Sequence, residues 1–166
     1  MSPAPVDLTG RWRGFYEQMG QRHGIALDVA QRGAAIVGRM RDEDTLLMGA
    51  ATVQGEDESG ARQTLGEAET MTSLPEWSVV EGNVAGRSVT FEKRYQGVHT
   101  NTLRLPGHGE WSMRVPDHRV FYSGRIDATG DRLTGEWHIP PLAPGGVEAR
   151  GGLELVREDG ARTAGS

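Results

Sequence analysis

Regular alternation of side chains along short runs is the feature of this chain that most limits its fold. The run Ser88–Tyr95 places every second side chain on the same side of an extended backbone. A period of two is typical of a β-strand that is buried on one face. One face carries Val89, Phe91, Lys93 and Tyr95, and the other carries Thr90, Glu92 and Arg94. Because the first face is mostly apolar, we expect it to point inward.

Similar runs recur along the chain, separated by short turns that contain glycine. The 166 residues include 24 Gly and 8 Pro and show no long helical pattern, a combination that favours many short strands joined by tight turns. Strands that follow one another closely pair antiparallel, and closing the sheet removes its exposed edges. The sequence therefore predicts an all-β fold, a closed antiparallel up-and-down β-barrel of eight to ten strands. We expect one domain over residues 1–166, with a core at about 8–158 and flexible tails at 1–7 and 159–166.

Two segments interrupt the regular pattern and are predicted to be insertions near the barrel openings. Gly55–Ser73 is acidic, rich in small residues and without a period of two, and a short helix over Ala61–Met71 is one interpretation of it. Gln96–Asp117 contains two short alternating runs, Thr100–Leu105 and Glu110–Val115. A preceding run, Leu46–Gln54, is expected to form the fourth strand of the barrel.

Charge and composition disfavour several classes of protein. The net charge is −5 and the pI is about 5.5, whereas nucleic-acid binding needs a clustered basic surface. The chain has no Cys, which excludes disulfides, cysteine-ligated zinc and iron–sulfur clusters. No apolar run is long enough to span a membrane, and the first residues lack a secretory signal pattern. We therefore expect a cytoplasmic protein with neither nucleic acid nor membrane as partner.

The two ends of the chain carry a recognisable pair of residues. Gly10-Arg11-Trp12 opens the first predicted strand, and Arg157 lies on the last. This arrangement resembles the calycin superfamily, which includes the lipocalins, fatty-acid-binding proteins and avidins. The resemblance implies that Trp12 closes the base of the barrel and that the Arg157 guanidinium packs across its indole, a contact stabilised by cation–π attraction. The later strands are also similar to small bacterial barrel proteins of unassigned function.

Several inward positions carry polar groups and suggest a ligand cavity. An apolar wall with a few hydrogen-bonding groups is the usual composition of a small-molecule site. Lys93 would bind a carboxylate or carbonyl, or act as an acid or base, if it is buried; alternatively it lies near the rim and extends its ammonium to water. The predicted ligand-binding residues are Tyr16, Gln18, Lys93, Tyr95, Tyr122 and Trp137, with Leu27 and Val29 on the cavity wall.

No metal site, cofactor site or hydrolytic triad is predicted. The histidines fit no spacing that would bring them together as metal ligands, so we expect each of them to be a surface residue. Asp42-Glu43-Asp44 is predicted to be a charged turn, and Ser78 and Ser123 lack the sequence of a nucleophile elbow. The five histidines considered as metal ligands are His23, His99, His108, His118 and His138. Lys93 and Tyr95 remain the only catalytic candidates.

The sequence favours a binding protein for a small hydrophobic or aromatic molecule with a polar end, as a monomer or homodimer. The alternative is a barrel enzyme that folds a flexible substrate for cyclisation or isomerisation, since holding reacting atoms together needs little dedicated chemistry. The two insertions would then act as lids. A structural or interaction protein is a third alternative, which a lumen filled by side chains would favour.

Overall fold

The computed structural model describes residues 6–141 and 144–158, and within these ranges the regular structure consists of twelve β-strands. No helix in the described part of the chain is long and apolar enough to cross a membrane. The strands are β1 (Gly10–Gln18), β2 (Gln21–Arg32), β3 (Ala35–Asp42), β4 (Leu46–Glu56), β5 (Arg62–Ser73), β6 (Trp77–Ala85), β7 (Ser88–Tyr95), β8 (Thr100–Leu105), β9 (Gly109–Arg114), β10 (Arg119–Ile126), β11 (Arg132–Ile139) and β12 (Ala149–Arg157).

Eight of these strands form a closed antiparallel barrel in the order β1-β2-β3-β6-β7-β10-β11-β12. The last strand pairs with the first, and Trp12 faces Arg157 across that seam. Every barrel strand pairs with its nearest barrel neighbours along the chain, so the topology is up-and-down. The predicted all-β closed barrel is confirmed, at the lower end of the expected strand number.

The remaining four strands form a separate antiparallel sheet in the order β4-β5-β8-β9. Two predictions fail here: Leu46–Gln54 belongs to this sheet rather than to the barrel, and Ala61–Met71 lies in or beside β5 instead of forming a helix. β5 alternates only weakly, and its pairing with β8 is what makes it a strand. Strand formation depends strongly on such tertiary context, so the local sequence does not reveal it. The two short strands expected within Gln96–Asp117 are confirmed.

Trp12 closes one end of the barrel as the resemblance implied. Its side chain is 2% exposed, and the Arg157 guanidinium carbon lies 4.5 Å from the centre of the indole. The guanidinium also donates hydrogen bonds to the carbonyl oxygens of Thr9 at 2.8 Å and Asp7 at 2.7 Å. Val6 packs against the core and Asp7 holds Arg157, so these two residues belong to the barrel end; the rest of the two predicted tails, 1–5 and 159–166, lies outside the described residues.

The four-stranded sheet stands at the other end of the barrel, which we call the mouth. The chain leaves the barrel after Asp42 and Tyr95, and it returns at Trp77 and Arg119. All four crossing points are strand ends on the side away from Trp12. The sheet therefore covers the mouth, and Leu47 and Thr72 from its first two strands reach the lumen.

Candidate functional site

The inward face predicted from the alternation is the observed one. Tyr16, Lys93, Tyr122 and Trp137 are all at most 7% exposed, whereas Thr90 and Arg94 are exposed. Leu27 and Val29 are also buried in the barrel. The six predicted ligand-binding residues line one small cavity of about 90 Å³ beneath the mouth. They are Tyr16, Gln18, Lys93, Tyr95, Tyr122 and Trp137.

Lys93 lies deep in this cavity and is paired with Asp42. The Lys93 Nζ is 3.2 Å from Asp42 Oδ2 and 3.3 Å from Oδ1, and each residue is 1% exposed. The alternative that places Lys93 at the rim is therefore wrong, and so is the prediction that Asp42 belongs to a charged turn. Asp42 is the last residue of β3 and continues the inward positions of Ile36 and Met40. That shared period of two was a signal that could have identified it.

Three tyrosines surround the Lys93 ammonium. Its Nζ lies 4.5 Å from the ring centre of Tyr95, 5.8 Å from that of Tyr16 and 5.9 Å from that of Tyr122. We call Lys93, Asp42, Tyr16 and Tyr122 the floor of the cavity. A buried ammonium with a carboxylate partner and aromatic faces around it has replacements for its lost hydration.

Ionisation at the floor is shifted by burial and by the mutual effects of its charges. Burial alone would lower the pKa of Lys93, but Tyr122, Tyr95 and Asp42 outweigh it and hold that pKa well above its usual value. Burial raises the pKa of Asp42, and the Lys93 ammonium acts against this rise. Burial also raises the pKa of Tyr16 and Tyr122. Lys93 is thus protonated at neutral pH, which makes it unsuitable as a general base or amine nucleophile.

Two histidines stand beside Tyr95 and line the cavity, so the surface position predicted for them is wrong. The ring centres of Tyr95, His99 and His118 are 5.4 to 5.9 Å apart, and we call these three residues the wall. His99 follows the sharp exit from β7 at Gly97. The φ of Gly97 is 137°, which favours glycine, and a Cβ added there would lie 3.2 Å from Pro75 Cβ. His118 comes from the segment before β10. Loop geometry alone brings them together, so their sequence spacing carried no signal.

The wall contains a buried polar atom that finds no partner in the part of the chain that the structure describes. His118 Nδ1 donates to the Pro116 carbonyl oxygen at 2.9 Å. His99 Nδ1 is buried and has no hydrogen-bond partner among the described residues. Burial, His118 and Lys93 together lower the pKa of His99 to about 4, so the ring is neutral at neutral pH. Because buried polar atoms in proteins are nearly always paired, His99 is an exception that calls for a ligand or water.

A second cavity of about 290 Å³ is also lined by the wall residues. Two arginines at its rim are already paired: Arg119 with Glu92 at 3.2 Å and Arg94 with Glu81 at 3.7 Å. Their charges are therefore largely balanced, and the cavity has no strong preference for an anion. Its lining consists of Arg94, Tyr95, Gln96, Gly97, His99, Val115, Pro116, Asp117, His118 and Arg119.

The remaining histidines lie apart from the wall. His23 is 8% exposed and its Nδ1 is 2.9 Å from Asp44 Oδ2, so the surface position predicted for it is wrong. His108 is exposed, and His138 stacks on Phe121 with ring centres 5.3 Å apart. Within residues 6–141 and 144–158, no three His, Asp or Glu side chains are grouped so that they could hold a metal ion.

Comparisons with protein-family models, with curated proteins and with solved structures give no match for this chain. The strand pairing alone defines the fold, a closed eight-stranded antiparallel barrel with a four-stranded sheet over its mouth.

Proposed function

We propose that this protein binds a small aromatic or hydrophobic molecule with a polar end at the mouth of the barrel. The observation that carries the proposal is His99 Nδ1, a buried polar atom that has no partner in residues 6–141 and 144–158 and lies on a wall shared by two cavities. A buried polar group that lacks a partner costs about 1–3 kcal/mol. A ligand that supplies the missing hydrogen bond would recover that free energy on binding.

The charges around the wall favour a ligand whose polar end is uncharged. The Lys93 ammonium is balanced by Asp42, and His99 is neutral because its pKa is lowered to about 4. The rim arginines are paired with glutamates. A hydroxyl or carbonyl group can bond to a neutral imidazole without leaving an unbalanced charge in the cavity.

The cavity volumes limit the size of this ligand. Small-molecule sites usually enclose about 300–1,000 Å³. The cavity beneath the mouth, which we call the floor cavity, has a volume of about 90 Å³ and is too small alone. The neighbouring cavity, of about 290 Å³, is just below that range. We therefore propose a ligand of one or two rings whose polar end meets the wall. Apolar contacts would come from Leu47, Leu74 and Val120 on the floor cavity and Val115 on the larger one.

Binding of 2-naphthol, an uncharged two-ring molecule with one hydroxyl, tests this proposal. We expect saturable binding by fluorescence titration, and about tenfold weaker binding by His99→Leu, which keeps the volume but removes the hydrogen bond. His108→Leu alters an exposed histidine outside the cavity and should bind like the wild type. Equal affinities for all three proteins, or no binding to any, would contradict the proposal.

The alternative function is cyclisation or isomerisation of a small substrate. The supporting observation is a neutral imidazole, His99, next to the Tyr95 ring, since such a pair can move a proton between two positions of one substrate. In this account His99 replaces Lys93 as the candidate base and Tyr95 keeps its candidate role. Mass spectrometry and chromatography of a metabolite extract incubated with protein would detect an isomer formed by the wild type but not by Tyr95→Phe.

We also infer that the barrel belongs among the calycins. The support is the contact between Trp12 and Arg157 at the closed end, combined with the closed up-and-down topology. This assignment agrees with ligand binding at the open end, but the proposal for His99 does not depend on it.

A further inference from the structure

The four-stranded sheet has one apolar face that meets the barrel at Leu47 and Thr72 and, farther along, leaves Trp111 and Met113 exposed. The strand register places Ala51 opposite Ala68 and Leu103 opposite Trp111, with Thr70 between them facing the same way. The other face is polar in its middle, where Glu69 pairs with Arg104 at 3.8 Å. The apolar face consists of Leu47, Ala51, Val53, Ala68, Leu103, Leu105, Trp111 and Met113.

This face is concave. Ala68 is 1% exposed and Leu105 is 4% exposed, yet neither belongs to the hydrophobic core of the barrel. The second sheet is a half-barrel, and Gly66 and Leu105 are neighbours on its adjacent strands β5 and β8. A β-bulge between Val53 and Gln54 adds to the curvature.

Both edges of the half-barrel are open in the described part of the chain. β4 pairs only with β5, and β9 pairs only with β8. Natural edge strands are usually protected by charged side chains or proline, but Leu46–Gly55 in β4 contains neither. At the β9 edge, Trp111 is 54% exposed and Met113 is 67% exposed. Both edges and the face between them are therefore suited to pairing with more β-structure.

The directions of the strands fit a second copy of the same half-barrel. Four antiparallel strands alternate in direction, so β4 and β9 run opposite to each other. A two-fold axis along the strands leaves the partner's β4 parallel to the original β4, and therefore antiparallel to β9. Both seams then form at once, and eight strands close with an interior just wide enough for side chains.

We propose that two copies of this chain associate through their four-stranded sheets and complete a second, shared barrel. β9 of each copy pairs with β4 of the other, and Trp111 and Met113 of both copies fill the interior. Removing these apolar side chains from water stabilises the dimer, while the neutral β4 edge lets two chains of net charge −5 approach without charge repulsion at the seam.

A pair of matched substitutions on the two faces of the sheet tests this interface. Met113→Lys places a charge on the apolar face, and Met48→Lys places one on the opposite face at a residue of similar exposure, 60% against 67%. By size-exclusion chromatography with light scattering, we expect a dimer for the wild type and for Met48→Lys. We expect at least a hundredfold weaker association for Met113→Lys, with an unchanged circular dichroism spectrum. A monomeric wild type, or equal weakening by both substitutions, would overturn the proposal.

Cross-linking distinguishes the proposed seam from other dimers and needs no disruptive substitution. The chain has no cysteine, so Thr52→Cys in β4 and Ser112→Cys in β9 give single reactive thiols on the outer face. A short bismaleimide should cross-link the mixture of the two variants efficiently and each variant alone poorly, because β4 meets β9 of the partner. Efficient cross-linking of Thr52→Cys to itself would instead show pairing of β4 with β4 and would contradict the shared barrel.

Discussion

The floor and the wall at the barrel mouth both contain buried polar groups, but they differ in whether those groups have hydrogen-bonding or ionic partners. At the floor, the Lys93 ammonium has the Asp42 carboxylate at 3.2 Å and aromatic faces around it. At the wall, His99 Nδ1 has no partner in the described residues. The difference separates two roles: a satisfied buried pair stabilises or specifies the fold, whereas the unsatisfied His99 Nδ1 is the atom that we propose receives a ligand.

The largest expected effect follows from breaking the floor pair. Asp42→Ala leaves a buried ammonium without its counter-ion, and removing one partner of a buried ion pair usually costs about 3–5 kcal/mol. Urea denaturation should show a loss of this size in the free energy of unfolding. The double variant Asp42→Leu with Lys93→Met replaces the pair by apolar groups and should recover most of the loss. A loss below about 1 kcal/mol for Asp42→Ala would show that Lys93 is not dependent on Asp42.

A second satisfied polar group closes the other end of the barrel. Arg157→Ala removes three hydrogen bonds to backbone carbonyls and uncovers the Trp12 indole, so we expect a loss of about 1–3 kcal/mol. Arg39 provides a matched control, because its guanidinium also lies 4.5 Å from a tryptophan ring, that of Trp77, which is 37% exposed. Arg39→Ala should cost about 0.5 kcal/mol or less. Equal losses of unfolding free energy for Arg157→Ala and Arg39→Ala, measured by thermal or urea unfolding, would contradict a special role for Arg157 at the closed end.

The floor should also make the protein sensitive to alkali. The pKa values of Lys93, Tyr16 and Tyr122 are raised in the folded state, so these groups keep their protons at a pH where the unfolded chain loses them. Their contribution to stability is complete below about pH 10 and falls as the pH rises through the folded-state values. Tyr122→Phe removes one such proton and should reduce the slope of unfolding free energy against pH by up to about 1.4 kcal/mol per pH unit. An unchanged slope above pH 10 would contradict the raised pKa of Tyr122.

The contrast between floor and wall also explains how much of the site the sequence could predict. Strands with a period of two fix which side chains point inward, which is why Tyr16, Lys93 and Trp137 could be placed in the lumen. Asp42 was hidden because three consecutive acidic residues resemble a turn, although its position continues the alternation of β3. His99 could not be found in this way, because it lies outside the strands and reaches the cavity only through the folded path of the chain.

Likewise, the sequence could predict the barrel but not the second sheet. Barrel strands such as β7 carry a clear apolar face, whereas β5 is rich in small and acidic residues and is stabilised by its neighbours β4 and β8. Its partner β8 is distant in sequence, and no local pattern reveals such a pairing.

The smallest expected change in stability is at the wall. His99→Leu keeps the approximate volume of the side chain and removes an unpaired buried atom, so the free energy of unfolding should stay within about 0.5 kcal/mol of the wild type or rise. Urea unfolding measures this directly, and Asp42→Ala in the same series provides the contrasting large loss. A loss of 2 kcal/mol or more for His99→Leu would mean that its ring holds the fold together.

The most direct test of the account is to observe the His99 ring while a ligand is added. Nuclear magnetic resonance of the imidazole nitrogens, with His99→Leu to assign the signals, would follow His99 and His118 during a titration with 2-naphthol. We predict that the His99 Nδ1 signal shifts with the same saturation curve as the fluorescence, while the signals of His108 and His138 stay in place. Saturable binding that leaves the His99 nitrogens unchanged would contradict the claim that this atom receives the polar end of the ligand.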